Sequence, residues 1–481
     1  MLNFNQKKKM KKYNKISLLL SMFLVLGFTS CDKDFEEINT DPNKPTTIIV
    51  DLELGFIQRT LVNEINNYFL TGEAADAWVQ HLSKPVYNDA DRYFPRVGSI
   101  NNLWVALYTS VVNEAQDMYE LADEADNNAV KGVSLVLQAI AFQTLADAYG
   151  DIPVSEANQG GANPFPAYDT QASAYSQILG MLTNADALLD GSGTISAGQD
   201  LMYGGDISKW KKLAASVKFR AMMRISETAQ FDSSVLQDLA SSGNLIVTND
   251  NNAFISYTTE NAPNTNPFYG IVQGGRSGEW CMGEQLVNQM LSDSDPRLTV
   301  YANVNDDGIY RGKPAGYINP GLSGYAPGTV SEIGDAYMAA EAPVYILAAS
   351  QINLLLAEAV DKGWVTGNAG SFFQAGIDES LMMNGLPAGS YVPFYGGYTS
   401  IAEQLWISTY MQGIEAWNEW RRSDIPSTLP LAVDPAPGVN SIPVRYTYPT
   451  SEQSVNAANL AAAIANQGPD LLTTKVDWDK N

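Results

Sequence analysis

Residues 130–153 read VKGVSLVLQAIAFQTLADAYGDIP, and this stretch decides the fold class. Asp151-Ile152-Pro153 ends a helix, because the residue before a proline avoids helical backbone angles. Before that stop, apolar residues recur every three or four positions, as they do on one face of an α-helix. They are Val133, Leu137, Ile140, Ala141, Leu145 and Ala148. The stretch therefore predicts one long helix.

More helices are predicted on both sides of this one. Leu103, Leu107, Val111 and Ala115 form a similar apolar stripe. Other helical stretches run near 173–189, 207–229, 343–361, 370–383 and 399–420. In the first half the helices start roughly 30 to 42 residues apart and alternate as pairs, a spacing similar to tetratricopeptide repeats. Because the strict repeat consensus is missing, an ordinary α-helical domain remains the alternative.

Three segments lack helical periodicity. Residues 244–340 are rich in Gly, Pro, Asn and Tyr, and a connection of that length without regular structure is often functional. Residues 389–398 have a similar composition, and residues 441–449 predict extended chain with a small β element. No Gly/Ser-rich linker divides the chain. We therefore predict one mainly α domain over 51–481, with minor β structure and a loop-rich insertion at about 244–340.

The N-terminus has the pattern of an export signal. Six lysines precede an apolar segment at 16–28 that is too short to span a bilayer comfortably, and small residues lead into Cys31. This predicts a lipoprotein signal peptide at 1–30, with Cys31 as the lipidated residue and an acyl anchor on a membrane. Ordinary secretion is the alternative. The acidic, polar residues 31–50 predict a flexible tether.

The charge excludes one class of partner. The chain has 53 Asp and Glu against 29 Lys and Arg, a net charge of −24. A nucleic-acid-binding protein needs a basic surface, and the sequence shows none. The same charge disfavours electrostatic docking on anionic lipid, which leaves the acyl chains as the membrane attachment.

The residues of common catalytic and metal sites are scarce. His81 is the only histidine in the sequence, so a Ser-His-Asp or Cys-His mechanism would depend on it alone, and a zinc cluster is excluded. We expect His81 to be packed and Cys281 to be a buried apolar residue. Carboxylate pairs for glycoside hydrolysis are numerous enough to arise by chance, for example Asp306-Asp307, Asp293/Asp295 and Glu279/Glu284. No cofactor is predicted, although Asp306-Asp307-Gly308 leaves calcium open without an EF-hand pattern.

Six phrases, in order, resemble those of the SusD/RagB-like outer-membrane nutrient-binding lipoproteins of Bacteroidetes. They are DAYGDIPVSEA at 147–157, SDPRL at 294–298, ASQINLLLAEA at 349–359, GIEAWNEWRRS at 413–423, IPVR with YP at 442–449, and KVDWDK at 475–480. The last phrase has Asp477 where a second tryptophan is common. Residues 31–34, CDKD, are similar to the acidic signal that sends such lipoproteins to the cell surface.

The resemblance implies a binding protein and not an enzyme. Such proteins are lids on a SusC-like TonB-dependent outer-membrane transporter, to which they deliver a captured nutrient, usually an oligosaccharide and in some members a peptide. Four tetratricopeptide-like helix pairs pack on the transporter, and irregular loops elsewhere form the ligand site. The matched phrases belong mostly to the scaffold, so Trp417, Trp420, Arg421 and Arg422 are expected to pack and form ion pairs within it.

The ligand site is predicted from the loops. A sugar presents an apolar face to aromatic rings and hydroxyl groups to Asn, Asp, Arg or backbone groups. Segments 87–93 and 266–280 combine such residues best, and two further tyrosines lie in the insertion. The predicted ligand-binding residues are Tyr87, Asp91, Arg92, Tyr93, Tyr269, Arg276, Trp280, Tyr317 and Tyr325. In the alternative interpretation, these tyrosines only attach the loops to the scaffold.

The sequence thus favours oligosaccharide capture at the cell surface. Three alternatives stay open: capture of a peptide or another small nutrient by the same lid mechanism, a surface-anchored carboxylate glycoside hydrolase, and a purely structural helical adaptor.

Overall fold

The computed structural model of the protein describes residues 49–259 and 264–480. The predicted signal peptide, Cys31 and nearly all of the tether lie outside the described residues. From Val50 onward the chain forms one compact unit.

The fold is mainly α-helical, as predicted. The helices of eight residues or more are α1 Leu54–Ile65, α2 Val97–Ala106, α3 Asn113–Glu124, α4 Asn128–Tyr149, α5 Gln171–Leu188, α6 Ile207–Arg224, α7 Ser233–Ser241, α8 Glu284–Ser292, α9 Ala349–Asp361, α10 Ala369–Met383, α11 Tyr398–Ser408, α12 Gly413–Ser423 and α13 Ala457–Gln467. A π-helical segment, Leu107–Val112, joins α2 to α3. Shorter α-helices are Asp76–Trp78, Pro267–Ile271, Leu298–Tyr301 and Thr450–Val455.

Local sequence signals fix several helix ends. The side chain of Asn127 accepts a hydrogen bond from the Val130 amide at the start of α4, and Asp206 accepts from two amides at the start of α6. Gly150 ends α4 with a φ of 92°, a conformation that glycine adopts readily. These capping residues fix where the helices predicted from periodicity begin and end.

Consecutive helices pack against each other along the scaffold. α3 packs on α4, α4 on α5, α5 on α6, and α9 on α10. Helix α4 is long and apolar enough to cross a membrane by length and composition, but 89% of its apolar window is buried in the body. It is a core helix, and its apolar character reflects contacts on all sides.

Two small antiparallel sheets complete the structure. β1 (Leu82–Ser83) pairs with β3 (Cys281–Met282), and β2 (Ala253–Ile255) pairs with β4 (Val344–Leu347). The β1–β3 pairing joins distant parts of the chain, since Leu82 lies opposite Met282 and Ser83 opposite Cys281. It places the segments that follow β1 and precede β3 at the same edge of the molecule.

Four predicted segments differ from the observed structure. The stretch 399–420 is two helices, α11 and α12, and the stretch 343–361 begins as strand β4 before α9. Residues 441–449 form no regular strand. The insertion at 244–340 contains short elements of its own, including α8 and β3, so it is less irregular than its composition suggests.

The matched phrase at 413–423 lies in the core, which confirms its structural interpretation. Trp417 is fully buried and its indole donates to the carbonyl oxygen of Pro443 at 2.8 Å. The Arg421 guanidinium lies 3.8 Å from the Trp417 ring centre. Arg422 pairs with Glu358 of α9 through two hydrogen bonds of 2.5 and 2.6 Å. This helix therefore joins the helical scaffold to the C-terminal part of the chain.

Candidate ligand-binding cleft

An open cleft of about 750 Å³ lies where three distant segments meet. Its first wall is residues 85–88 and its second wall is residues 318–322. Its floor consists of Gly275, Ser277 and Glu279. Two of the segments predicted from the sequence, 87–93 and 266–280, therefore contribute to one site, together with a loop of the Gly-rich insertion.

The small sheet explains why these segments converge. The first wall directly follows β1, and the floor directly precedes β3, so the β1–β3 pairing brings both to one edge. The chain before the second wall joins them by a parallel bridge between Gly283 and Lys313, in which the Lys313 amide donates to Met282 at 2.9 Å. All three parts of the cleft thus start from one hydrogen-bonded framework.

Tyr87 is the exposed ring of the first wall. Tyr87 is 67% exposed. Its backbone has a φ of 51°, in the left-handed region that residues other than glycine seldom adopt. The Arg276 guanidinium lies 5.9 Å from the Tyr87 ring centre and 5.0 Å from that of Phe69. A salt bridge of 2.9 Å to Glu279 fixes the same guanidinium. Tyr87 and Arg276 together present an aromatic surface and hydrogen-bond donors, as a sugar-binding site requires.

A second aromatic pair flanks the other wall. The rings of Tyr317 and Tyr325 lie 5.2 Å apart at an angle of 34°, on the two sides of the 318–322 turn. The Arg311 guanidinium lies 4.8 Å from the Tyr325 ring centre and donates to the Gly324 carbonyl oxygen at 3.1 Å. At the tip, Leu322 is 90% exposed. This wall therefore combines half-buried tyrosines at its base with an exposed apolar tip.

Three of the predicted ligand-binding side chains are buried and do not line the open cleft. Trp280 is only 4% exposed, with its ring 5.6 Å from Phe268 and 3.9 Å from the Lys84 ammonium. Tyr93 is buried and its hydroxyl accepts from the Ala432 amide at 2.7 Å; burial raises its pKa to about 12. Asp91 is buried as well.

Asp91 forms an ion pair beneath the cleft. Its Oδ2 accepts a hydrogen bond from the Lys313 ammonium at 2.8 Å and one from the Ser83 hydroxyl at 2.9 Å. The Lys313 ammonium also donates to Ser83 and to the Pro314 carbonyl oxygen, so its three donors are satisfied. Asp91 and Lys313 are both fully buried. The pair ties the chain after the first wall to the chain before the second.

Of the nine predicted residues, Tyr87 alone lines the cleft. Arg276, Tyr317 and Tyr325 lie next to lining residues, and Arg92 and Tyr269 lie outside the lining as well. The Arg92 Nε donates to the Asp434 carbonyl oxygen at 2.8 Å, so this side chain is committed to a neighbouring segment. Tyr269 is half-buried on the short helix Pro267–Ile271, whose start is capped by the Asn266 side chain. Sequence reasoning missed several lining residues, including Val86, Ile318, Asn319, Pro320 and Leu322, and it included Asn88 only as part of segment 87–93. The only signal for them is their position in Gly- and Pro-rich chain next to predicted aromatic residues.

A chain of charges supports the floor. The Lys84 ammonium lies 2.7 Å from Glu73 and 3.6 Å from Glu279, which in turn pairs with Arg276. Burial lowers the pKa of Lys84, although the two glutamates favour its charged form. Of the described residues that line the cleft, Glu279 carries the one carboxylate, and that carboxylate is already paired. Glycoside hydrolysis of the usual kind needs two carboxyl groups at one cleft.

Three residues weighed as catalytic or metal-site candidates, His81, Cys281 and Asp295, are buried in the core. His81 is fully buried, 3.6 Å from Asp76 and 5.3 Å from the Trp406 ring centre, and Cys281 is buried, so both expectations are confirmed. Asp295 forms a buried salt bridge with Arg297 at 2.5 Å. Across residues 49–259 and 264–480, no group of three or more His, Cys, Asp or Glu could hold a metal ion. The absence of a cofactor stays a prediction.

Comparison with known proteins gives a family and a fold. The family model described as "Starch-binding associating with outer membrane", SusD-like, matches residues 42–449. A solved chitin-binding protein is 26% identical with a TM-score of 0.79, and the match covers 90% of this chain and 100% of that one. A chitin-binding SusD homologue from Flavobacterium johnsoniae is 21% identical (TM-score 0.78; 89% and 99% covered). A SusD homologue from Bacteroides uniformis ATCC 8492 is 20% identical (TM-score 0.79; 90% and 100% covered). No curated protein matches the chain.

Proposed function

The chain belongs to the SusD-like family, and from this premise we propose that it captures an oligosaccharide at the cell surface and delivers it to a SusC-like TonB-dependent transporter. The family resemblance drawn from the sequence is confirmed. Lipid anchoring through Cys31, the outer-membrane location, the transporter partner and the absence of catalysis are parts of the proposal.

The cleft between residues 85–88 and 318–322 is the observation that carries the proposal. It has the size of a small-molecule site, about 750 Å³, and it is open to solvent. Tyr87 offers an exposed ring, and Arg276 beside it offers donors for hydroxyl groups. These are the two kinds of group that bind a sugar ring and its rim.

The polar groups of the cleft favour a neutral glycan. Asn88, Ser277 and Asn319 carry amide and hydroxyl groups, and the charges of Arg276 and Glu279 are paired with each other. Apolar side chains such as Leu322 suit methyl groups on the ligand. Two structural relatives are described as chitin-binding, so we propose a neutral, N-acetylated glycan of the chitin type as the first ligand to test.

Calorimetry with three probes tests this proposal. The full chain, purified in detergent, is titrated with a soluble chitin hexasaccharide, with a maltohexaose of the starch type, and with a mixture of short peptides. Saturable binding of either glycan supports oligosaccharide capture. Binding of peptides alone would favour the alternative in which the captured nutrient is a peptide. Binding of none of the three probes would favour the structural adaptor.

A reducing-end assay separates binding from hydrolysis. The same chain is incubated with each hexasaccharide, and new reducing ends are measured over a day. We expect none above a blank. If new ends appear and Glu279→Gln abolishes them, the protein is a hydrolase and the binding proposal fails.

A further inference from the structure

Residues 430–436, a segment after α12, bond to the chain that follows the first wall of the cleft. The Ala432 amide donates to the Tyr93 hydroxyl and the Ala436 amide donates to the Arg92 carbonyl oxygen, both at 2.7 Å. The Arg92 Nε returns a hydrogen bond of 2.8 Å to the Asp434 carbonyl oxygen. This explains why Arg92 and Tyr93 are not free to contact a ligand.

The same segment bonds to the chain that leads into the second wall. The Val433 amide donates to the Ala315 carbonyl oxygen at 3.0 Å, and the Asp434 amide donates to that of Gly316 at 2.8 Å. The Asp434 carboxylate accepts from the Ile318 amide at 2.8 Å. Ile318 is the first residue of the second wall.

Asp434 is thus the residue at which both sides of the cleft meet. Its carbonyl oxygen binds the first side, and its amide and side chain bind the second, although Asp434 itself does not line the cleft. We propose that Asp434 is a positioning residue for ligand binding, which fixes the second wall relative to Tyr87. This inference rests on the proposed function of the cleft.

The side chain matters because it fixes one end of the second wall, whose middle is held by turn hydrogen bonds such as that from the Tyr325 amide to the Pro320 carbonyl oxygen at 2.8 Å. Asp434 holds the Ile318 amide at one end, and Arg311 holds the Gly324 carbonyl oxygen at the other. Between them Leu322 projects into solvent. When one end is released the wall samples more conformations, and a ligand must order it again at the expense of affinity.

Two variants at this position separate the hydrogen bond from other effects. Asp434→Ala removes the acceptor for the Ile318 amide but keeps every backbone hydrogen bond of residue 434. Asp434→Asn keeps an oxygen that can accept from the same amide. Asp378→Ala is the matched control. Asp378, on α10, accepts a hydrogen bond of 2.8 Å from the amide of Gly389, a loop residue, and neither residue lines the cleft.

The affinity for the chitin hexasaccharide, hydrogen exchange of the 318–322 peptide and the melting temperature are measured for all four chains. We expect Asp434→Ala to bind roughly fivefold more weakly, as the loss of one hydrogen bond implies. Its 318–322 peptide should exchange faster without ligand, while Asp434→Asn and Asp378→Ala should behave like wild type in this peptide. All four melting temperatures should be similar.

The inference and the proposed function fail in different ways. If the wild-type chain binds no glycan, the proposed function is wrong, and the exchange of the 318–322 peptide then decides the role of Asp434. Unchanged exchange or unchanged affinity in Asp434→Ala would overturn the inference. An equal loss of affinity in Asp434→Asn, or a general fall in melting temperature, would also overturn it.

Discussion

At the scale of single residues, Tyr87 is the aromatic side chain through which the cleft is open to a ligand. We expect Tyr87→Ala to weaken binding of the chitin hexasaccharide about tenfold, or about 1.4 kcal/mol, because one aromatic contact is lost. The melting temperature should not change, since the ring is largely exposed. Titration calorimetry measures the affinity. Phe394→Ala is the control, because Phe394 is 88% exposed but lies outside the cleft lining; equal effects of the two substitutions would remove Tyr87 from the site.

Trp280 should behave in the opposite way. Its ring is buried against Phe268 and beneath the Lys84 ammonium, so Trp280→Ala leaves a cavity. We expect the free energy of unfolding to fall by about 3–5 kcal/mol, measured by urea denaturation. Tyr87→Ala in the same experiment should leave it nearly unchanged. A Trp280→Ala chain of normal stability with lost binding would show that this ring reaches the ligand after all.

At the scale of elements, α12 (residues 413–423) carries a buried charge cluster. The Glu415 carboxylate accepts from Arg224 at 2.6 Å and from Gln351 at 2.5 Å. Burial alone would raise the pKa of Glu415, but Arg224, Arg220 and the Gln351 hydrogen bond outweigh it and lower the pKa to about 2. A carboxyl group with a lowered folded-state pKa stabilises the protein above its ordinary pKa, near 4.5, and this stabilisation is lost as the pH falls towards 2.

Glu415→Gln tests this pH dependence. At pH 7 we expect the free energy of unfolding to fall by about 3–5 kcal/mol, because Arg224 loses a buried partner. The difference from wild type should narrow as the pH falls from 4.5 towards 3, measured by urea denaturation at each pH. Glu120→Gln, at an exposed position of α3, should change the free energy of unfolding little at pH 7 or towards pH 3. A constant difference for Glu415→Gln would mean that its charge does not contribute.

Helix periodicity predicted most of the scaffold, but it could not place the break between α11 and α12. The break lies at Met411, whose φ of 61° is left-handed. Just after it, a Cβ on Gly413 would lie 2.6 Å from the Asp76 carboxylate and 3.0 Å from the Thr71 carbonyl oxygen. Glycine is needed there because another part of the chain comes close, and periodicity contains no information about that approach. Strand β4 was missed for a similar reason, since its apolar residues continue directly into α9.

The site was predicted in part, for an equally physical reason. Composition identified two of the three segments that meet at the proposed cleft, because aromatic and polar residues in loops are characteristic of binding sites. It could not tell which rings face inward. Tyr87 and Trp280 look alike as loop aromatics, but the β1–β3 pairing exposes one and covers the other.

At the scale of the whole molecule, the phrases shared with the family and the residues of the cleft lie in different parts of the chain. The phrases at 147–157 and 413–423 meet in the core, where the Arg421 guanidinium donates to the Asp147 carbonyl oxygen at 2.9 Å. The cleft is lined by residues 85–88, 275–279 and 318–322, which lie outside every matched phrase. Substitutions in the cleft can therefore change the ligand while the helical scaffold stays the same.

The proposed membrane attachment should likewise be separable from folding. The compact unit starts at Val50, and Cys31 precedes it by a polar segment. We expect Cys31→Ala to release the protein from membranes, because a chain of this negative charge has no attraction to anionic lipid once the acyl chains are lost. Its melting temperature and its affinity for the chitin hexasaccharide should equal those of wild type in detergent.

Fractionation of cells into membrane and soluble parts measures the release. Cys281→Ala is the matched control and should stay with the membrane, because Cys281 is buried in the folded body; a Cys31→Ala protein that remains in the membrane fraction would contradict lipid anchoring at Cys31.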